Sequence, residues 1–167
     1  MSENYIVING KKAELTEEQL KALGIEAEEK RKNPFDRVAN DTYFCITADN
    51  KASSYTDDDD GYTRIVYNAA NYFNDEQFAQ QVSLHQLLYR KLLKFAYDNE
   101  YEDNQIWGGN GIEHWHIGYD FRECVFYADW VSVTKYNDVY FSTKEGAERA
   151  LKEVVEPFMK EHPEFIW

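Results

Sequence analysis

The 167-residue chain carries 31 acidic against 18 basic side chains, a formal charge of −13, and 16% of it is aromatic, with 13 Tyr, 10 Phe and 4 Trp. Charge of that sign argues against broad contact with nucleic-acid phosphates, which needs a basic stripe, and the ring content argues against intrinsic disorder. No apolar run reaches the roughly 18 residues of a spanning helix, Met1-Ser2-Glu3-Asn4 lacks the basic and apolar regions of a leader, and two cysteines are too few for a disulfide scaffold, so a soluble, intracellular chain is expected.

Tyr5-Ile6-Val7-Ile8, Asn9-Gly10 and then Lys11 to Leu15 predict a hairpin, because Asn-Gly supplies the positive φ angles of a type I′ turn. Thr16-Glu17-Glu18-Gln19 is a capping box and Gly24 stands where a helix would stop, so a helix of one to two turns follows. The charged stretch 26–40, interrupted by Asn33-Pro34, reads as a connector.

The remainder says one thing twice. Tyr43-Phe44-Cys45-Ile46, Tyr62 to Tyr67 and Tyr72-Phe73 precede a helix over about 75–97; Trp115-His116-Ile117, Val125-Phe126-Tyr127 and Tyr140-Phe141 precede a second, starting near residue 144. Asn74 to Gln77 and Ser142 to Glu145 each set a polar acceptor three residues before Gln or Glu, marking both helix starts. In the first helix Phe78, Val82, His85, Leu88, Leu92 and Phe95 form an apolar stripe. In the second, Pro157 should kink or end the helix near Glu156. Tyr62 to Tyr67 and Val125 to Val133 look extended and β-branched, which makes Asp57-Asp58-Asp59-Asp60-Gly61 a turn between strands.

The expected fold is therefore α+β. Two related strand-strand-helix units, residues 43–104 and 105–167, form antiparallel sheet covered by helices, preceded by the hairpin, short helix and connector of residues 1–42, all in one compact domain. Charge is unevenly divided among these segments: −2 over 1–42, −6 over 43–104 and −5 over 105–167.

No catalytic, metal or cofactor motif emerges. The tetra-aspartate run fails the calcium-loop spacing, since taking Gly61 as the sixth position puts Thr56 at the first and Tyr67 at the last. His114 and His116 alternate onto one side of a strand, with Glu113 or Asp120 nearby, but a third convincing zinc ligand is missing. Gly108-Gly109-Asn110-Gly111 lacks the lysine and helix start of a phosphate loop and reads as a connector. Pairings among Asp120, Glu123 and Asp129 are cheap to find among 31 acids. Cys124 has only Arg122 as an electropositive neighbour, so Cys45 and Cys124 are expected to be buried free thiols. No enzyme activity is expected.

Asn33-Pro34-Phe35, Tyr43-Phe44-Cys45-Ile46, Tyr72-Phe73-Asn74-Asp75-Glu76 and Tyr140-Phe141-Ser142-Thr143-Lys144-Glu145-Gly146-Ala147 give a layout, over about residues 12–160, that resembles small, mostly uncharacterised acidic proteins carried by phages and prophages of Gram-positive bacteria. The first copy departs from the Tyr-Phe-x-Thr-x-Glu-x-Ala pattern, with Asp75 for Thr and Phe78 ahead of Ala79. The resemblance implies phage origin and residence in the host bacterial cytoplasm, and some proteins of this type are anti-CRISPR or other anti-defence inhibitors.

Acids interleaved with Tyr and Trp suit a surface that occupies a basic groove. The expected partner is a basic nucleic-acid-binding protein such as a CRISPR effector nuclease, with Asp57, Asp58, Asp59, Asp60, Asp98, Glu100, Glu102 and Asp103 as binding residues. Two alternatives stand beside it: an adaptor that stacks Tyr62, Tyr67, Phe126 and Trp130 on nucleic-acid bases, and a self-associating phage structural protein. A homodimer is compatible with all three.

Overall fold

The computed structural model describes residues 5–8, 11–14, 33–101, 107–108 and 111–167. Residues 1–36 and 37–167 form two compact units. In the first, Tyr5–Ile8 (β1) pairs antiparallel with Lys11–Glu14 (β2), Tyr5 opposite Glu14 and Ile8 opposite Lys11. The predicted turn at Asn9-Gly10 and the predicted helix from Thr16 to Gly24 lie outside the described residues. Around Pro34 the chain turns on Asn33, whose Oδ1 accepts from Phe35 N (3.1 Å) and whose carbonyl accepts from Asp36 N (3.0 Å).

The second unit is α+β. Thr42–Ile46 (β3) pairs antiparallel with Ala52–Thr56 (β4), and His114–Asp120 (β5) with Val125–Val131 (β6). Each ladder gains a third, one-bridge partner at a Tyr-Phe step. Phe44 exchanges N–H···O bonds of 2.8 and 2.9 Å with Phe73, and Trp115 exchanges bonds of 3.0 and 2.7 Å with Phe141. Instead of one sheet under helices, the unit holds separate two-stranded ladders, each tied to the chain just ahead of a helix.

The first copy departs from expectation between its ladder and its long helix. Gly61–Asn68 is a helix (α1), not a strand. Asp60 caps it by accepting from Thr63 N at 2.7 Å, and Thr63 and Val66, three apart on one side, are buried. Tertiary burial of that side overrides the β preference of Tyr, Thr, Ile and Val. The second strand of the ladder is instead Ala52–Thr56, reached by a turn in which Thr47 N bonds Lys51 O and Asn50 takes φ 62°. Asp57 to Asp60 consequently joins a strand to a helix.

The long helix is Glu76–Asp98 (α2). Its N-cap is Asp75, accepting from Phe78 N at 2.8 Å, one residue later than the Asn74 the spacing suggested. Lys144–Ala150 (α3) shows the same offset, with Thr143 rather than Ser142 accepting from Gly146 N at 3.0 Å. The buried line of α2 runs Ala79, Ser83, Leu88, Leu92 and Ala96, and His85 is exposed rather than part of it. Small residues in the first turns let β3 and β4 approach. Ser83 Oγ donates to Asn50 O (2.8 Å) and accepts from Asn50 Nδ2 (2.8 Å).

After α3 the helix widens into a π segment, Leu151–Val155, and resumes as Glu156–Glu161 (α4). Pro157 has no amide to donate. The helix does not end at Glu156; the wide turn, closed by Glu156 N on Leu151 O, places Pro157 in the first turn of α4, where no donor is needed. The final residues fold back on α2 through Gln81, which donates to Glu164 O (2.8 Å) and accepts from Ile166 N (3.0 Å).

Two apolar clusters result. The larger joins Leu88, Leu92 and Ala96 of α2 to Ile117, Phe141, Ala147, Val155, Phe158 and Phe165; the smaller is Tyr43, Cys45, Val66 and Tyr72. Among the described residues no helix is long and apolar enough to cross a membrane.

Candidate functional site

The smaller cluster contains Tyr43 and Tyr72, the centre of a stack of five tyrosines. Tyr43 and Tyr55 are directly opposed across β3 and β4, with centroids 5.8 Å apart. The other face of Tyr43 lies on Tyr72 at 4.5 Å and 11°. Tyr67 meets Tyr72 edge-on at 5.6 Å, and Tyr62 meets Tyr55 at 5.6 Å, both from α1. Tyr43 and Tyr72 are buried, whereas Tyr55, Tyr62 and Tyr67 are 38%, 46% and 43% exposed. The stack therefore begins in the core and opens on the surface, rigid at its centre and available at both ends.

An ion-pair network borders it. Arg37 donates from Nε to Asp57 Oδ2 and from Nη2 to Asp57 Oδ1, both at 2.6 Å, and from Nη2 to Asp59 Oδ1 at 2.7 Å. Arg64 grips Asp59 from the other side at 2.8 and 3.2 Å. Tyr72 Oη donates to Asp57 Oδ2 at 3.2 Å and accepts from Val38 N at 3.3 Å. The Arg37 guanidinium also lies 5.8 Å from the centre of the Tyr67 ring. Buried, Asp57 is held below the usual carboxylate range chiefly by the Arg37 bonds, and Asp59 is held well below it by Arg64 and then Arg37. Asp60 is lowered by the Thr63 amide it caps. Burial raises the Tyr43 and Tyr72 hydroxyls, and the bond with Cys45 raises that of Tyr62, so these rings present neutral O–H groups at neutral pH.

The acidic surface expected from the sequence is thus divided. Asp57 lies inside the fold, Asp59 is bonded to two arginines, Asp60 caps α1, and Asp58 stands exposed beside them. Asp98, bonded to Lys94, ends α2 and Glu100, at φ 64°, lies just past it, whereas the tetra-aspartate packs against Tyr72 ahead of its N-terminal end. A helix of 23 residues separates the two groups by roughly 35 Å of axis. Glu102 and Asp103 lie outside the described residues. No motif in the sequence marks Arg37. Its one signal as a partner for Asp57 was that four adjacent carboxylates need a cation close by.

A second group of polar rings gathers around His114 and His116 of β5, with His114 and Tyr140 buried. His114 and His116 do share a side, and Tyr140 sits between them at 6.2 and 6.0 Å. His114 stacks on Trp107 at 3.8 Å and 11°, and His116 Nδ1 meets Asp138 Oδ2 at 3.0 Å. Among the described residues no three His, Cys, Asp or Glu side chains gather to hold a metal ion. Asp120 is engaged by the amides of Arg122 and Glu123 in the β5–β6 turn. Cys45 is buried as expected, but Cys124, expected to be buried, is exposed, at φ 53°, because it lies in the turn between β5 and β6. The four aromatics of the adaptor reading do not form a strand surface: Tyr62 and Tyr67 are helical, and Phe126 packs against the larger core cluster.

No family model, curated protein or solved structure matches the chain. The functional reading rests on the chemistry of these surfaces.

Proposed function

We propose that this chain is a non-enzymatic binding protein of the phage type, which places its exposed tyrosines and their bordering carboxylates in the basic groove of a nucleic-acid-handling defence protein in the bacterial cytoplasm. The observation that carries the reading is the five-tyrosine stack, whose buried centre fixes the exposed Tyr55, Tyr62 and Tyr67 before any partner arrives. Rigid aromatic anchors lose little conformational entropy on binding, and tyrosine offers both ring area and a hydroxyl donor.

Charge supports the same partner. Asp58 and Asp60 edge the tyrosines on a chain of net charge −13, so a basic groove is favoured in approach and in contact. Asp57 and, in large part, Asp59 act as scaffold for the stack rather than as contacts.

The test is DNA cleavage by a guide-loaded CRISPR effector nuclease with increasing amounts of the wild-type chain, Y62A/Y67A and D58N. Inhibition that weakens with salt, and is lost in Y62A/Y67A, supports the reading. Absence of inhibition and of binding across a panel of effectors, or equal potency in Y62A/Y67A, overturns it.

A further inference from the structure

The β5–β6 ladder leaves one strand edge without a partner. Trp115 exchanges both of its backbone bonds with Phe141, on the side of β5 away from β6. Bond direction alternates along an antiparallel pair, so Trp130, directly opposite Trp115, turns its amide and carbonyl outward, and so do Ala128 and Phe126 on the same strand. Among the described residues the backbone groups of Phe126 and Ala128 on that edge make no bond. The Trp130 amide is held only by the neighbouring carboxylate, Asp129 Oδ1 at 2.8 Å. Past it, Ser132 O accepts from Gly108 N at 3.2 Å, and the open run ends there.

The same strand reads alike in both directions. Outward from Ala128 lie Tyr127 and Asp129, then Phe126 and Trp130, then Val125 and Val131. Two copies of β6 laid antiparallel about Ala128 put Phe126 opposite Trp130, Val125 opposite Val131 and Tyr127 opposite Asp129, so ring meets ring and no carboxylate faces another. That register also sets the outward backbone groups of one strand against those of the other, each amide on a carbonyl, whereas a shift of one residue loses the ladder. The edge is poor in charge, with Asp129 its one acid in a chain of net charge −13, and contact between like-charged copies is least opposed where acids are few. Val125, Tyr127 and Trp130 are half-exposed, and Phe121 at the hairpin tip and Val133 past the other end are more so. The antiparallel register brings the tip of one copy alongside Val133 of the other. At on the order of 100 Å² for each of these side chains, two copies bury about 1,000 Å², the lower end of specific interfaces.

We infer that β6 is a homodimerisation edge, to which a second copy of this chain adds its own β6 antiparallel about Ala128, joining two hairpins into one sheet of four strands. Strand addition of this kind draws affinity from main-chain bonds and specificity from the side chains that alternate along them. The contact is isologous, as a two-fold dimer requires, and the near-palindrome of β6 is what makes one strand complementary to itself. The Asp129 bond to the Trp130 amide must open first, so the dimer is weak and depends on concentration. None of these residues belongs to the tyrosine stack.

The experiment is sedimentation equilibrium of the full chain from micromolar to millimolar concentration, at a salt concentration that screens the net charge, together with disulfide trapping in a C124S background. Expected is a monomer–dimer equilibrium that A128P abolishes. Because the Ala128 amide points away from β5, proline there removes the outward donor and leaves the β5–β6 bonds in place, so amide ¹H–¹⁵N shifts away from β6 should stay as in the wild type. D129A frees the Trp130 amide and removes like charges near the two-fold axis, and should tighten the dimer severalfold. On oxidation A128C should link to itself, and V125C should link to V131C in a mixture but not to itself. If A128P loses the wild-type spectrum, this trapping pattern decides. The inference is overturned by a chain that stays monomeric at every concentration, which would leave the edge to a strand of another protein. A dimer that persists in folded A128P, or that weakens in D129A, overturns it too, as does V125C linking to itself as readily as A128C. Loss of the dimer in Y62A/Y67A would place the contact on the tyrosine surface and also overturn it. None of these results depends on a nuclease, so the β6 edge and the proposed inhibition stand or fall separately.

Discussion

Arg37 closes on Asp57, 20 positions away, through two bonds of 2.6 Å, Nε to Oδ2 and Nη2 to Oδ1, and the carboxylate so held is 1% exposed. The pair sets the position of Tyr72 through its hydroxyl and, through Tyr72, of the stacked Tyr43. A buried carboxylate is tolerated only with such a partner.

Acid sensitivity follows from that arrangement. In the unfolded chain Asp57 and Asp59 titrate near the ordinary value of about 3.9, and in the folded chain both are held lower. The stability they contribute is fully present above the unfolded value and is lost as pH falls through about 3.9 toward the folded ones. Thermal midpoints measured from pH 7 to pH 2 should therefore stay level and then drop. In R37M the buried Asp57 has lost the cation that holds its pKa down, so the plateau at neutral pH should be lower and the drop in acid shallower. An unchanged profile in R37M would show that the pair contributes nothing in solution.

The Tyr-Phe steps are bridges and core at once. Phe73 and Phe141 are buried at 1% and 3% while their backbones bond to Phe44 and Trp115. Phe73→Ala and Phe141→Ala should each cost about 3–5 kcal/mol in urea unfolding, as truncated core rings do. A loss below about 1 kcal/mol at either position would remove it from the core.

The helix caps can be tested one residue apart. Thr143→Ala removes the acceptor of Gly146 N and should cost about 1 kcal/mol. Ser142→Ala, outside the cap, should stay within about 0.5 kcal/mol. The reverse order would place the cap at Ser142.

Gly118 and Tyr127 form a directly opposed pair across β5 and β6, and a Cβ on Gly118 would stand 2.6 Å from Tyr127 Cζ. The ring covers a position that only glycine leaves open. Since Tyr127 is half-exposed and can swing away, Gly118→Ala should cost only about 1 kcal/mol in the wild type and nothing measurable in Y127A. Additive effects in the double variant would show that ring and glycine are not in contact.

Much of this architecture was legible locally. β1 and β2 follow from the Tyr5-Ile6-Val7-Ile8 run and the Asn-Gly that ends it, α2 from its apolar period, and β5 and β6 from β-branched and aromatic runs. The segment Gly61–Asn68 was not, because its β-forming residues read as strand until Thr63 and Val66 are seen buried on one side. The cap positions slipped by one because neighbouring Asn74-Asp75 and Ser142-Thr143 are equally good acceptors in sequence.

The candidate site divides along the same line. That the chain is acidic, ring-rich and twofold in pattern is a property of composition and period, and the sequence by itself determined it. Which acids face outward was decided by Arg37 and Arg64, distant in sequence from some of the carboxylates they hold. The order of the tyrosine stack was decided by β3–β4 register and by α1 folding over it, and the open edge of β6 by the Trp115–Phe141 bridge on the far side of β5. The physical reason is that propensity and period act over a few neighbouring residues, whereas ion pairs, ring stacks and strand edges depend on long-range packing that brings separated segments together.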